Sequence, residues 1–131
     1  MIATPPEFID LTPEMKARLD RFAEEHKDDP VGNVGGTVIF EDDRVRMWEL
    51  ILEPGEASDL HRHELDYYLI IFEGDYVAGV SGPGSEGEVP SFVGKVPAAG
   101  NTVSIPKGGF EWAYNVGDKA YREVIVEIKD S

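Results

Sequence analysis

The sequence predicts an all-β domain with a single α-helix before it. From Gly35 onward the chain consists of short runs rich in β-branched and aromatic residues, separated by glycine, proline, aspartate and asparagine. Many short strands at this spacing are typical of a sandwich or barrel, not of a doubly wound sheet. The length of 131 residues suits one domain with its own core.

Eight runs have the composition of strands. They are residues 36–41, 45–52, 66–72, 75–81, 89–96, 101–105, 110–115 and 121–129. The last run alternates most clearly, because Val124, Val126 and Ile128 share one side and Glu123 and Glu127 are among the residues that flank them. This alternation predicts a half-buried antiparallel strand.

Residues 1–30 are expected to pack on a barrel formed by residues 31–131. Residues 1–11 have the character of an extended arm, because two adjacent prolines favour polyproline or β geometry. Thr12 is a suitable N-cap and is followed by proline at the first helical position. The apolar residues that follow recur at helical spacing and predict a helix over 13–27.

The composition excludes several classes of partner. Lys and Arg number 12 against 26 Asp and Glu, a formal net charge of -14, so nucleic acid and anionic membrane surfaces would be repelled. There is no cysteine, which leaves histidine nitrogen and carboxylate oxygen as the strong metal ligands. The chain shows no secretory signal and no apolar run of membrane-spanning length. We therefore expect a cytoplasmic protein.

Two of the three histidines, His61 and His63, lie two residues apart just before an apolar, strand-like run. Side chains alternate between the two sides of a strand, so both imidazoles are expected to project from the same side. One strand can present two nitrogen ligands to one metal ion in this way. The pair is the main candidate for a functional site.

One stretch runs from Gly55 through the two histidines to Gly74, and a second runs from Gly100 through Pro106 and Gly108 to Asn115. Together they resemble the two motifs of the cupin superfamily. The first motif reads glycine, five residues, His-x-His, three or four residues, glutamate, six residues, glycine. The second reads glycine, five residues, proline, one residue, glycine, two residues, histidine, three residues, asparagine. The matching residues are Gly55, His61, His63 and Gly74, then Gly100, Pro106, Gly108 and Asn115. The resemblance covers residues 55–115 and implies a cupin-like jelly-roll β-barrel.

The two departures from the motifs fall on positions where the family binds its metal. Tyr67 stands in place of the glutamate, and Glu111 stands in place of the histidine. The resemblance therefore implies a metal site formed by His61, His63 and Glu111. Two imidazoles and one carboxylate are the ligands of facial-triad iron(II) sites, which keep positions open for substrate and oxygen. The ion is expected to be divalent, with iron, nickel, manganese, zinc and copper all as candidates.

Tyr67 is expected to reach the same cavity, because on a regular strand it shares the side of both histidines. A neutral phenol is a poor metal ligand. We therefore predict that Tyr67 takes part in catalysis by hydrogen bonding to substrate, to bound water or to Glu111. The alternative is a cluster without metal, in which Glu111 accepts hydrogen bonds from one imidazole and from the phenol.

The sequence thus predicts a metal-binding protein with a small-molecule ligand or substrate. As an enzyme it would act on a small oxygen-containing organic molecule, as an oxygenase or as a Lewis-acid isomerase or lyase. The alternative function is a non-catalytic cupin that binds or senses a small ligand without metal. Fold alone does not choose between these functions.

A homodimer is also expected. If Glu111 points into the barrel, then Phe110 and Trp112 point to the opposite face, since neighbouring residues of a strand alternate. A second subunit, with help from the N-terminal arm, would bury that face.

Overall fold

The computed structural model describes residues 7–87, 90–96 and 101–131. Within these ranges the elements are β1 (Glu7–Ile9), α1 (Pro13–Glu25), β2 (Thr37–Glu41), β3 (Val45–Leu52), β4 (His61–Arg62), β5 (Tyr67–Glu73), β6 (Tyr76–Ser81), β7 (Phe92–Lys95), β8 (Asn101–Ile105), β9 (Phe110–Asn115) and β10 (Tyr121–Ile128). None of the helical residues described forms a segment long and apolar enough to cross a membrane.

The described strands form two antiparallel sheets of five strands each. The first sheet has the order β1-β7-β6-β9-β4, and the second sheet has the order β2-β3-β10-β5-β8. The chain passes from one sheet to the other, as in a jelly roll, so the predicted all-β jelly-roll class is confirmed. The predicted closed barrel is not found in the described ranges, because no ladder of hydrogen bonds joins the edge strands of the two sheets. The architecture is a sandwich.

Most strands lie where the sequence predicts them. Strands β3, β8 and β9 have the predicted limits, and the run predicted at 89–96 is observed as β7. Val89, predicted to start that run, lies outside the described residues. Of the predicted arm, residues 1–6 also lie outside them, and residues 7–9 form β1, which pairs antiparallel with β7. The described part of the arm therefore extends the first sheet.

Helix α1 begins as the sequence predicts. The Thr12 hydroxyl accepts a hydrogen bond from the backbone N–H of Met15 at 3.1 Å, which satisfies one of the free amides of the first turn. The helix ends at Glu25, two residues before the predicted end, because the His26 N–H bonds back to the Phe22 carbonyl and the backbone then leaves helical geometry.

The apolar side of α1 packs on the outer face of the first sheet. Leu19 and Phe22 are buried there against Val80 and Trp112, and the ring of Phe22 meets the indole of Trp112 edge-on at 5.4 Å. The helix therefore buries Trp112 within one chain. A second subunit is not needed to cover this face, so the sequence argument for a homodimer interface here no longer applies.

Strand β10 is antiparallel to both of its neighbours, as predicted. The side of this strand that faces the interior carries Glu123 and Glu127, which are 5% and 4% exposed. Val124, Val126 and Ile128 occupy the opposite side. The valine-rich side of this strand therefore faces away from the space between the sheets. The side that faces into this space carries Glu123 together with Tyr121 and Ile125.

Candidate metal centre and cavity

His61 and Glu111 are brought together by the register of two strands. β4 pairs antiparallel with β9, and His61 lies directly opposite Glu111 in that ladder. Residues paired in this way project from the same side, with Cβ atoms about 5 Å apart. The ladder therefore places one imidazole beside one carboxylate.

His63 continues the pairing just beyond β4. Its backbone N–H donates to the Gly109 carbonyl and its carbonyl accepts from the Gly108 N–H, both at 2.8 Å. Gly108 has a φ of +120°, a conformation that is unfavourable for residues with a Cβ. The second-motif glycine thus permits the turn that fixes the backbone of His63.

The three predicted ligands converge on one point. One ligand atom from each of His61, His63 and Glu111 lies within 4.8 Å of the other two. The two Nε2 atoms are 3.1 Å apart, and His63 Nε2 is 3.6 Å from Glu111 Oε1. Two nitrogens about 2.1 Å from one ion, at roughly a right angle, would be about 3 Å apart. The imidazole spacing therefore fits a shared ion.

The surroundings of His61 hold it in the form that binds metal. Its Nδ1 lies 2.8 Å from the Asp59 carbonyl and must donate to it, since a carbonyl only accepts. Burial lowers the pKa of His61, and the neighbouring His63 lowers it further. The ring is therefore neutral near pH 7, and its unprotonated Nε2 lies 3.1 Å from His63 Nε2. A neutral imidazole with one lone pair available is the usual state of a histidine that binds metal.

Tyr67 reaches the cavity by a different route from the one expected. The chain leaves the first sheet after His63 and enters the second sheet at Tyr67, so the regular strand assumed from the sequence is interrupted. The phenol ring stacks on the His63 imidazole, with centroids 4.0 Å apart and planes 14° from parallel. This contact holds the imidazole in its orientation.

The Tyr67 hydroxyl remains protonated and has no hydrogen-bond partner among the described residues. Burial raises the pKa of Tyr67, and the carboxylates of Glu111 and Glu123 raise it further. The residue lines the cavity, so it offers a hydroxyl donor to a ligand or water beside the three converging groups.

The two hydrogen bonds to Glu111 that the alternative without metal requires are not formed among the described residues. The distance of 3.6 Å between Glu111 and His63 exceeds that of a good hydrogen bond, and no hydrogen bond joins Glu111 to Tyr67. His63 Nδ1 is buried and lacks a partner. The two imidazoles lie within hydrogen-bond distance of each other through their Nε2 atoms, so part of the site is satisfied without an ion. Glu111 and Tyr67 make no hydrogen bond to this pair and leave room for a further partner.

The site opens into a cavity of about 590 Å³ between the two sheets. Most of its walls are aliphatic, with Val34, Leu50, Leu69, Ile71, Val103 and Ile125 among the lining residues. A space of this size suits a small organic molecule, and the wall composition suits one with an apolar body.

Two polar residues of the cavity were not predicted as site residues. Glu123 and Tyr121 of β10 line the cavity from the second sheet, and the Tyr121 hydroxyl donates to Glu123 Oε1 at 2.7 Å. One signal in the sequence could have found them. Tyr121, Glu123 and Ile125 are alternate residues of one strand and share one side, so burial of the tyrosine or the isoleucine implies burial of the glutamate.

Gly79 was not predicted as part of the site either. A Cβ at this position would lie 2.5 Å from the Phe92 ring and 2.8 Å from Glu111 Oε2. The absence of a side chain thus leaves the space that the Glu111 carboxylate occupies.

The asparagine of the second motif has a structural role here. Asn115 is fully buried, and its amide donates to the carbonyls of Leu52 and Lys119 at 2.9 and 2.8 Å. These bonds tie the end of β9 to β3 and to the turn before β10. The motif glycine Gly100 lies outside the described residues.

Solved structures share this fold. A cupin domain from Bordetella pertussis Tohama I matches with a TM-score of 0.61 at 22% identity, over 76% of this chain and 98% of that domain. An RmlC-like cupin family protein with a double-stranded β-helix fold, from Methanocaldococcus jannaschii, matches with a TM-score of 0.51 at 17% identity, over 74% and 93% of the two chains. No protein-family model and no curated protein matches the chain. The chain has the cupin fold, as the motifs predicted.

Proposed function

We propose that this is a metal-binding cupin-fold protein in which His61, His63 and Glu111 hold one divalent ion at the wall of a cavity for a small organic molecule. The observation that carries the proposal is the convergence of these three side chains within 4.8 Å of one another. A neutral His61 and the 3.1 Å spacing of the two Nε2 atoms support a bound ion.

The activity that best suits this site is that of an oxygenase, or of an isomerase or lyase that uses Lewis acidity, on a small oxygen-containing molecule. The bound ion would supply Lewis acidity toward a carbonyl or enol oxygen, or reactivity toward dioxygen. The protein would supply the rest. Aliphatic walls exclude water around the ligand, and the Tyr67 hydroxyl donates a hydrogen bond to a ligand oxygen.

Metal analysis of protein purified without chelator tests the proposal. We expect close to one equivalent of a divalent metal, or recovery of one equivalent after reconstitution with iron, nickel, manganese, zinc or copper. Less than about a tenth of an equivalent after every reconstitution would contradict the proposal, because three preformed ligands should retain an ion at micromolar protein concentration.

A second candidate is a non-catalytic protein that binds or senses a small ligand without metal. The size and aliphatic walls of the cavity favour it, since both suit a ligand whether or not an ion is present. Negative metal analysis, together with saturable binding of a small organic molecule, would favour this second candidate.

We still propose a homodimer, but its interface would not be the face that carries Trp112. The second sheet exposes large apolar side chains, among them Phe40, Ile51 and Tyr68, and burial of such residues favours association. A dimeric mass in light scattering at micromolar concentration is the expected result, and a monomeric mass would contradict it.

A further inference from the structure

A second polar group lies in the cavity apart from the three proposed ligands. Glu123 is 5% exposed, lines the cavity and is paired across the sheet with Leu50 and Ile71. Tyr67 is four residues from Ile71 on β5, which corresponds to about 13 Å of strand. The backbone of Glu123 is therefore offset along the sheet from that of Tyr67, while its charge still acts on the Tyr67 hydroxyl.

One carboxyl oxygen of Glu123 has no partner in the described part of the chain. Tyr121 donates to Oε1 at 2.7 Å, and no hydrogen bond reaches Oε2. Burial raises the pKa of Glu123 to about 7, against the effect of the Tyr121 hydrogen bond, and Glu111 adds to the rise. Oε2 is not among the fully enclosed polar atoms that lack a partner, so it faces the space of the cavity and can accept from a donor that enters there.

The walls around Glu123 do not supply that partner. Leu50 and Ile71 flank it on the neighbouring strands, and both belong to an apolar cluster with Leu52, Val77 and the ring of Tyr121. The hydrogen bond to Oε2 must therefore come from a donor that enters the cavity, either water or a ligand.

We propose that Glu123 is a second anchor for the ligand, which is a compact molecule with an apolar body, a metal-binding oxygen at one end and a hydroxyl or amino group at the other. That hydroxyl or amino group donates to Glu123 Oε2. The inference deepens the proposed function and uses the same cavity, but the Glu123 contact does not depend on the ion. Where Glu123 is ionised, as at pH 8, a ligand with a carboxylate or phosphate at this end is disfavoured, because Glu123 and Glu111 repel it.

Two matched probes test the anchor, para-ethylphenol and para-ethylanisole, which differ in whether the oxygen carries a hydrogen. Their affinities are measured by calorimetry or NMR titration at pH 8 on His61→Ala protein, in which the metal site is removed. We expect the phenol to bind at least about tenfold more tightly, since its hydroxyl donates to a charged acceptor and the ether cannot. No saturable binding of the phenol, or equal affinities for the two probes, would overturn the proposal.

Glu123→Leu should abolish the preference for the phenol, and Glu127→Leu is the matched control. Both substitutions remove a buried glutamate from the same side of β10, but Glu127 is held by Trp48 and does not line the cavity. The control should keep the preference. Loss of the preference in both variants would mean that Glu123 acts through the fold and would overturn the proposal.

Glu123→Gln provides the test if Glu123→Leu does not fold. It keeps the size of the side chain, removes the charge and adds an amide donor. We expect it to bind para-ethylbenzoate at least about tenfold more tightly than the parent does, because repulsion is replaced by a hydrogen bond. An unchanged affinity for para-ethylbenzoate would contradict the proposal. Metal content is measured separately on protein with His61 intact, so failure of the metal site and failure of this anchor are distinct results.

Discussion

Strands β9 and β10 each carry a glutamate that faces the cavity, and the sequence predicted only one of them. In β9, Glu111 points inward and Trp112 points outward, where it packs on the helix. In β10, Glu123 points inward and the run of valines points away from the cavity. Both strands alternate equally well. The difference is that a motif marks the inward position of β9 and no motif marks that of β10.

The comparison shows what alternation can establish. A period of two separates the residues of a strand into two sides, but it does not say which side faces the interior. Hydrophobicity usually decides this, and in β10 it points the wrong way, because the interior here is a cavity with polar groups. Acidic residues at cavity positions destabilise the fold, and such exceptions are typical of functional sites.

The largest expected effect is the loss of metal when one of the two histidine ligands is removed. His61→Ala or His63→Ala should lower metal affinity by more than about a hundredfold, since even the outer hydrogen-bonding partners of metal ligands are worth 10–100-fold. Metal content after dialysis measures this effect. His26→Ala is the matched control, as His26 lies on the surface beside the helix and bonds Asp29. Equal metal content in all three variants would contradict the assignment.

Substitution of Glu111 and substitution of Glu123 should have different effects on metal affinity. Glu111→Gln should weaken binding by at least about tenfold, because a neutral amide replaces a charged ligand. Glu123→Gln makes the same change on the other strand but removes no proposed ligand, so its effect on metal affinity should be clearly smaller. Competition with a chromogenic chelator gives both values. If Glu123→Gln released the ion as readily, Glu123 would belong to the metal centre.

Glu123 should also affect how stability depends on pH. The pKa of Glu123 is raised from 4.5 to about 7, so the folded state holds its proton more tightly than the unfolded state. This contribution is fully present below about pH 4.5 and is lost as the pH rises to about 7, a decrease of about 3 kcal/mol in the free energy of unfolding.

Urea unfolding at a series of pH values tests this prediction. The decrease between pH 4.5 and 7 should become shallower in Glu123→Gln, which cannot ionise, than in the parent protein. Parallel curves for the parent and Glu123→Gln would show that Glu123 does not titrate in this range.

The smallest expected effect is that of Tyr67→Phe. The substitution keeps the ring that stacks on His63 and removes only the unpartnered hydroxyl, so metal content should stay within about 20% of the parent if the phenol is no ligand. Affinity for a ligand that accepts this hydrogen bond should fall by roughly threefold to tenfold. An emptied metal site in this variant would make Tyr67 a ligand.

Much of the fold and part of the site follow from local sequence. Thr12 predicts the start of the helix, the spacing of His61 and His63 predicts one shared side, and the second motif leads to Glu111. The crossing from the first sheet to the second between His63 and Tyr67 could not be predicted, because it depends on which strands pair over long distances. The burial of Trp112 by α1 escaped prediction for the same reason. The sequence shows that one side of the helix and one side of the strand are apolar, but it does not show that these two sides pack against each other.

The most direct test of the central claim is an anomalous difference map, recorded across the absorption edges of the candidate metals on protein never exposed to a chelator. The account predicts one peak in contact with Nε2 of His61, Nε2 of His63 and the carboxylate of Glu111, and none at Glu123. No peak at any edge, or a peak that does not touch all three residues, would contradict it.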